Sequence, residues 1–278
     1  MKHDISALIS AHDLQQQLHD NPSLLVIDLC SDDNYNAGHI PGAVHVKPSQ
    51  LSCGTQPAPG KLPDLATLEN LLQSIGLQTD TPVVVYDDAG SSWAGRMVWT
   101  LALVGIDKVQ LLDGGRHAWQ KADFAFSQAP PALTKSDLKI SIDSSNIANM
   151  DDIQRQLNDE QFTIWDARSL AEYDGRKILA KRGGHIPGAI HLEWTDLTDD
   201  EGFLLEPQQL QCLLNEKGLS ADKSIVTHCQ THRRSGLTWF VAKKLLSYPN
   251  IKAYPGSWSE WGNDETTEIE METFKAAD

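Results

Sequence analysis

The order of apolar and polar positions along this chain runs through the same series twice. In the first half, Leu14 and Leu18 form an apolar stripe behind Ser10, a helix N-cap with Asp13 three residues on. A short apolar strand, LLVIDLC, ends at Cys30, and a turn, GHIPGAVH, follows from Gly38 to His45. Leu65, Leu68, Leu71, Leu72 and Ile75 then recur at the period of an amphipathic helix. The run PVVVY, ending at Tyr86, predicts a buried strand, followed by a loop and another helix. In the second half Ile153 and Leu157 mark the first helix and FTIWDAR, ending at Arg168, the strand. GHIPGAIH follows from Gly184 to His191, then a helix opening at Pro207, then the strand SIVTH ending at His228. DGGRHAW, ending at Trp119, has its counterpart in PGSWSEW, ending at Trp261. Matches in one preserved order mean a duplicated domain. Strands alternating with helices place each copy in the α/β class, as a parallel sheet flanked by helices. The expected division is a first domain over 1–125, a linker over 126–143 around Pro130 and Pro131, and a second domain over 144–278. The acidic stretch after Asn263 is expected to pack loosely.

Length and charge narrow the class. The 278 residues suit two domains of ordinary size, and the net charge of −15 argues against nucleic acid and anionic membranes as partners. Any local cluster of cations therefore stands out. The N-terminal MKHDISALISAHDLQQ has neither the apolar stretch nor the cleavage pattern of a signal peptide, and no apolar run reaches membrane-spanning length. The cysteines are Cys30, Cys53, Cys212 and Cys229, with no C-x-x-C spacing, so neither a zinc site nor a redox dithiol is indicated. The expectation is a reduced, cytoplasmic protein, monomeric as a self-contained pair of domains, with no metal and no cofactor.

The duplication acts as an internal control: features in both copies serve the fold, and features in one copy serve function. His39 and His185 occupy identical turns and read as structural. Asp28 and Asp166 both end a strand and are expected to accept backbone N–H groups or to pair with a neighbour such as Arg168. Cys30 and Cys212 read as small hydrophobes; Cys53 lies in a Gly/Pro-rich loop.

The copies differ most after the second buried strand. Copy one reads YDDAGSSWAGRMVW and copy two HCQTHRRSGLTW, which sets Asp87 opposite Cys229. With Trp99 aligned to Trp239, the copy-two loop is two residues shorter, and a helix is expected from about Ser235 to Leu246. A cysteine opening a strand-to-helix loop points into a nest of free amides. There Gln230, Thr231, His232, Arg233 and Arg234 surround it, and the amides and basic side chains favour thiolate over thiol. Copy two also carries extra residues between Asp166 and Gly184, with Arg176, Lys177, Lys181 and Arg182 as either an anion-steering cluster or a solvated loop.

These residues resemble the rhodanese family of tandem-domain thiosulfate sulfurtransferases: GHIPGA, DGG with its tryptophan, and HC followed by a short basic loop and a helix. The resemblance covers nearly the whole chain, and HCQTHRRSG is most similar to bacterial enzymes of the Azotobacter type. It implies two rhodanese-like domains, the first inactive with Asp87 at the cysteine position. It further implies a Cys229 persulfide, a substrate cradle of Gln230 to Arg234, and structural support from Asp166 and Arg168. The implied partners are a small anionic sulfur donor and a cyanide or thiol acceptor. One departure stands out. Animal rhodaneses carry an anion-binding arginine four residues after the arginine of the D-x-R motif, and here that place holds Glu172. Three alternatives remain open: a 3-mercaptopyruvate sulfurtransferase, a cysteine phosphatase, and a sulfur carrier or binding module. The phosphatase signature needs an arginine six residues after the cysteine, where this chain has Ser235.

Overall fold

The computed structural model describes residues 6–271. Residues 1–5, from the segment searched for a leader, and 272–278, the end of the acidic stretch, lie outside the described residues. The chain forms two compact units. One contains the first half up to Cys53, Leu62–Ser144 and Thr198–Leu205; the other contains Gly54–Lys61, Ser145–Leu197 and the chain from Glu206 onward. Each unit has thus taken in a short segment from the other half of the sequence.

In the first unit the order is β1 (Leu8–Ile9), α1 (Ala11–Asp20), β2 (Leu25–Asp28), α2 (Asp32–Ala37), β3 (Val44–His45), α3 (Leu65–Ser74), β4 (Val83–Tyr86), α4 (Ser92–Leu103), β5 (Val109–Leu112) and α5 (Gly115–Lys121). The sheet has the order β1-β5-β4-β2-β3, with every pairing parallel. The local chemistry behind these elements is the one the residues dictate. Ser10 caps α1 by accepting the Asp13 N–H at 3.1 Å. All of β4 is buried, as a central parallel strand must be. Leu68, Leu71 and Leu72 of α3 face the core, but Leu65 at its first position is exposed, because the stripe begins only where the helix meets the sheet. The stretch 126–143 has no helix or regular strand, yet it is tied down. Ser127 exchanges backbone hydrogen bonds with His39, Ser136 N–H donates to Gln73 O, and the Gln73 amide donates to Leu138 O.

The second unit follows with α6 (Met150–Gln154), β6 (Phe162–Asp166), α7 (Leu170–Tyr173), β7 (Ile190–His191), α8 (Pro207–Glu216), β8 (Ser224–His228), α9 (Arg234–Phe240), β9 (Ile251–Ala253) and α10 (Ser257–Trp261). Its sheet, β7-β6-β8-β9, is again entirely parallel. It repeats the order β3-β2-β4-β5, and a single bridge from Ile147 to Ala253 stands where β1 pairs with β5. The repeat also shows in the cores, where Trp99 and Trp239, and Trp119 and Trp261, are fully buried. The two GHIPG histidines are structural in both units. His39 stacks on Tyr35 at 4.1 Å and His185 on Tyr173 at 3.8 Å, each with Nδ1 at the carbonyl oxygen of the same tyrosine.

Several expectations are corrected. The helix carrying Ile153 stops at Gln154, and Leu157 packs on the core from the following turn. The helix after Cys229 is α-helical only to Phe240 and continues as a π-turn over Val241–Leu245. Cys212 is exposed, because the buried stripe of α8 is Leu210 and Leu214, and its Sγ lies 3.4 Å from Glu216. The acidic stretch is pinned up to Glu270. The Arg182 guanidinium donates to Thr267 O at 2.8 Å and Trp261 O at 3.1 Å, and His185 and Glu270 exchange backbone hydrogen bonds. Gly184 must be glycine here: at φ +103 a side chain is strained, and a Cβ would stand 2.2 Å from Glu270 O.

Candidate active site

Strand β8 ends at His228 and α9 begins at Arg234, so residues 229–233 turn at the carboxyl edge of the parallel sheet. Beneath the turn lies a charged platform. The β6–β8 register sets Asp166 beside His228. Asp166 is fully buried and accepts from three donors of Arg168: its N–H at 3.0 Å, Nε at 3.0 Å to both oxygens, and one terminal nitrogen at 2.5 Å. Arg168 also donates to Gly184 O at 2.8 Å and lies over the Trp258 ring. Burial disfavours the Asp166 carboxylate, but the charge and hydrogen bonds of Arg168 outweigh it and hold the group below the ordinary carboxylate range. Arg168 is thus the neighbour with which Asp166 pairs. His228 is pushed down by burial, toward the neutral ring.

α10 decides which way the loop faces. Its Trp258 N–H donates to Cys229 O and its Ser259 N–H to Gln230 O, both at 3.0 Å. With these carbonyls turned toward α10, the loop amides are left to face inward. Cys229, only 1% exposed, receives the amides of Thr231 and Ser235 and the Ser235 hydroxyl at 3.5 Å. Ser235 in turn lies 2.7 Å from His232 Nδ1, and His232 is buried at φ +55, where it turns the loop. Burial alone would raise the Cys229 thiol. The Arg234 charge, the Ser235 hydroxyl and the two amides more than reverse this, and the thiol lies below its ordinary value.

The remaining predicted residues are placed as follows. Gln230 turns aside and donates to Leu179 O at 3.1 Å, linking the loop to the inserted segment. Thr231 contributes its amide to the sulfur, and Arg233 is half-buried at the start of α9. Arg234 faces the thiol and is gripped by Glu172. Within the insertion, Arg176 pairs with Asp174 and Lys181 with Glu265, while Arg182 turns inward to backbone carbonyls; Lys177 is exposed.

Four contributors were not picked out from the sequence as parts of the site. In the sequence Ser235 reads as a helix start and as the missing phosphatase arginine, and Glu172 as a departure from the family pattern. Ser257, which accepts the Cys229 N–H at 3.4 Å, lies 28 residues away. Gly60 packs so closely that a Cβ there would stand 2.2 Å from Thr231 O and 2.8 Å from Pro255 O. Its only signal was a Gly/Pro-rich stretch.

The first unit carries a comparable loop after β4. Its loop is not deficient in amides. Asp87 stands at the cysteine position, and its carboxylate accepts the N–H groups of Ala89, Ser91, Trp93 and Ala94 at 2.7–2.9 Å. α4 begins five residues after Asp87, and α9 five after Cys229, so the two-residue difference falls beyond the helix start. The nest exists and the carboxylate fills it; Ser92 stands where the second unit has Arg234. Asp87→Cys in a Cys229→Ala background is therefore expected to take up no sulfur from thiosulfate. Intact mass reads this directly, and one added sulfur atom would show that the amide nest suffices.

Comparison with known proteins agrees with this geometry. The rhodanese-like domain model matches the chain twice, over residues 10–122 and 149–264. The chain is 43% identical over 264 residues to the thiosulfate sulfurtransferase of Azotobacter vinelandii, covering 95% of this chain and 97% of that one. It is 41% identical over 268 residues to the thiosulfate sulfurtransferase of Pseudomonas aeruginosa (96% and 98% covered), and 33% identical over 234 residues to the 3-mercaptopyruvate sulfurtransferase of Escherichia coli (82% of each). Among solved structures, the anaerobic ergothioneine biosynthesis enzyme of Chlorobium limicola superposes with a TM-score of 0.87 at 23% identity, over 96% of this chain and 70% of that one, which is a likeness of fold. The two sheets and the loop after β8 define a tandem pair of rhodanese-like domains. The chain belongs to the rhodanese-like domain family.

Proposed function

We propose that the chain is a thiosulfate sulfurtransferase, with residues 1–125 as its inactive domain, 126–143 as linker and 144–278 as its catalytic domain. The observation that carries this reading is the Cys229 thiol, buried in inward amides, beside Ser235 and Arg234, with its pKa depressed. The Cys229 thiolate attacks the outer sulfur of thiosulfate; the S–S bond breaks and sulfite leaves with the electron pair. The Cys229 persulfide is held by the amides of Thr231 and Ser235, and Gln230 to Arg234 form the cradle for the donor. Cyanide or a thiolate then attacks the terminal sulfur and regenerates the Cys229 thiolate. A preformed thiolate needs no general base. The names of the two relatives above 40% identity support thiosulfate as donor. Ser235 in the place of the phosphatase arginine supports sulfur over phosphoryl chemistry. We further propose a monomer working in the reducing cytoplasm; among the described residues no helix is long and apolar enough to cross a membrane.

The test is intact mass after incubation with thiosulfate, then with cyanide, together with kcat/KM for thiosulfate and for 3-mercaptopyruvate. One sulfur atom gained and then lost, with thiosulfate the better donor, is the expected result. No uptake from thiosulfate overturns the reading, and better use of 3-mercaptopyruvate replaces it with the alternative donor.

A further inference from the structure

We infer that Glu172 sets which donor charge the site accepts, by binding the Arg234 guanidinium with both carboxylate oxygens and offsetting part of its charge beside Cys229. The inference rests on the sulfur-transfer reading of Cys229. Arg234 donates from its two terminal nitrogens to Glu172 Oε2 at 2.7 Å and Oε1 at 2.8 Å, the bidentate geometry that best holds a guanidinium in one plane. Glu172 is 2% exposed, and it is itself fixed at the first turn of α7, where Oε2 accepts the Ser169 hydroxyl at 2.8 Å. A buried carboxylate this firmly placed is not a solvated counter-ion. It leaves the remaining N–H donors of Arg234 available to the sulfur while weakening the cation's long-range attraction.

The other charged and titratable groups around the sulfur do not duplicate this role. Asp166 and Arg168 of the β6 end form a closed pair beneath the loop, and His228 is held toward its neutral form by burial. His232 is occupied with Ser235, and Arg233 lies at the start of α9. On α10, Glu260 is paired with Lys61. Arg234 is thus the cation that most lowers the thiol among the described residues, and Glu172 is the group that tempers it. Dianionic thiosulfate gains more from an unopposed cation than a donor with a single carboxylate does. The carboxylate therefore narrows the preference for thiosulfate and keeps the thiolate more nucleophilic than an unopposed guanidinium would allow, since nucleophilicity falls with thiol pKa.

Glu172→Gln is close to isosteric and keeps an oxygen for one Arg234 bond. It is expected to raise the ratio of kcat/KM for thiosulfate over 3-mercaptopyruvate about tenfold. KM for thiosulfate should fall and kcat should fall with it, while the pH limb of Cys229 alkylation by iodoacetamide moves downward. The kcat/KM for thiosulfate should also become more sensitive to ionic strength. A helix-capping role for Glu172 would move stability and leave the donor ratio, the salt dependence and the alkylation limb where they are; that result overturns the inference. Wild-type protein that takes sulfur from neither donor sinks the sulfur-transfer reading instead. The alkylation limb, which needs no donor, still reports whether Glu172 acts on the Arg234 charge.

Discussion

Cys229→Ala is expected to lose sulfur transfer by at least about a thousandfold, while Cys30→Ala, Cys53→Ala and Cys212→Ala retain it. Transfer needs a thiolate that attacks a sulfur atom, and alanine offers none. The other cysteines differ from Cys229 in surroundings. Burial, with the Asp28 charge added, pushes the Cys30 thiol far up, so it stays protonated in the core. Cys212 is exposed and raised by Glu216. Cys53 is exposed in the first unit. Steady-state assay with thiosulfate and cyanide, with persulfide mass as the second readout, checks the series. Turnover retained by Cys229→Ala would place the chemistry on another residue.

Arg234→Ala is expected to lower kcat/KM for thiosulfate about a hundredfold and to destabilise the second unit by about 3–5 kcal/mol. Two losses combine in the rate. One is the charge that most opposes burial of the Cys229 thiolate, and the other is a charge-assisted hydrogen bond to an anionic donor. The stability loss has a separate cause: Glu172, 2% exposed, is left with a buried charge that has lost its bidentate partner. Thiolate is the reactive form, so kcat/KM falls as pH drops through the Cys229 pKa. In the wild type that pKa lies below the ordinary thiol value and activity persists to lower pH. In Arg234→Ala the limb moves upward, and Arg234→Lys should recover part of the shift but not the bidentate grip on Glu172. Rate–pH profiles and denaturant melts of the three proteins read both effects. An unchanged limb in Arg234→Ala would remove Arg234 from the account of the thiol.

Residue order alone specified the parts of this protein that depend on near neighbours. Apolar periodicity marked the helices and buried strands, Ser10 and Pro207 marked helix starts, and the repeated GHIPG turns marked the duplication. Comparing the copies then singled out Cys229 against Asp87, because a cysteine opening a strand-to-helix loop is a local fact. The contacts that finish the site are not local. Glu172 and Arg234 meet across 62 residues, Ser257 reaches Cys229 from the next strand-to-helix turn, and Gly60 arrives from the other half of the chain. Whether a glutamate beside a basic loop repels the donor or holds an arginine depends on which faces α7 and α9 present to each other. No periodicity encodes that. The same holds for Asp87, whose four amide partners show that the first-unit loop also forms a nest. It holds too for the acidic stretch that Arg182 pins, and for Cys212, turned outward on a helix whose apolar stripe runs one side over. Local spacing sets where a side chain emerges; the packing of elements distant in sequence sets what it meets.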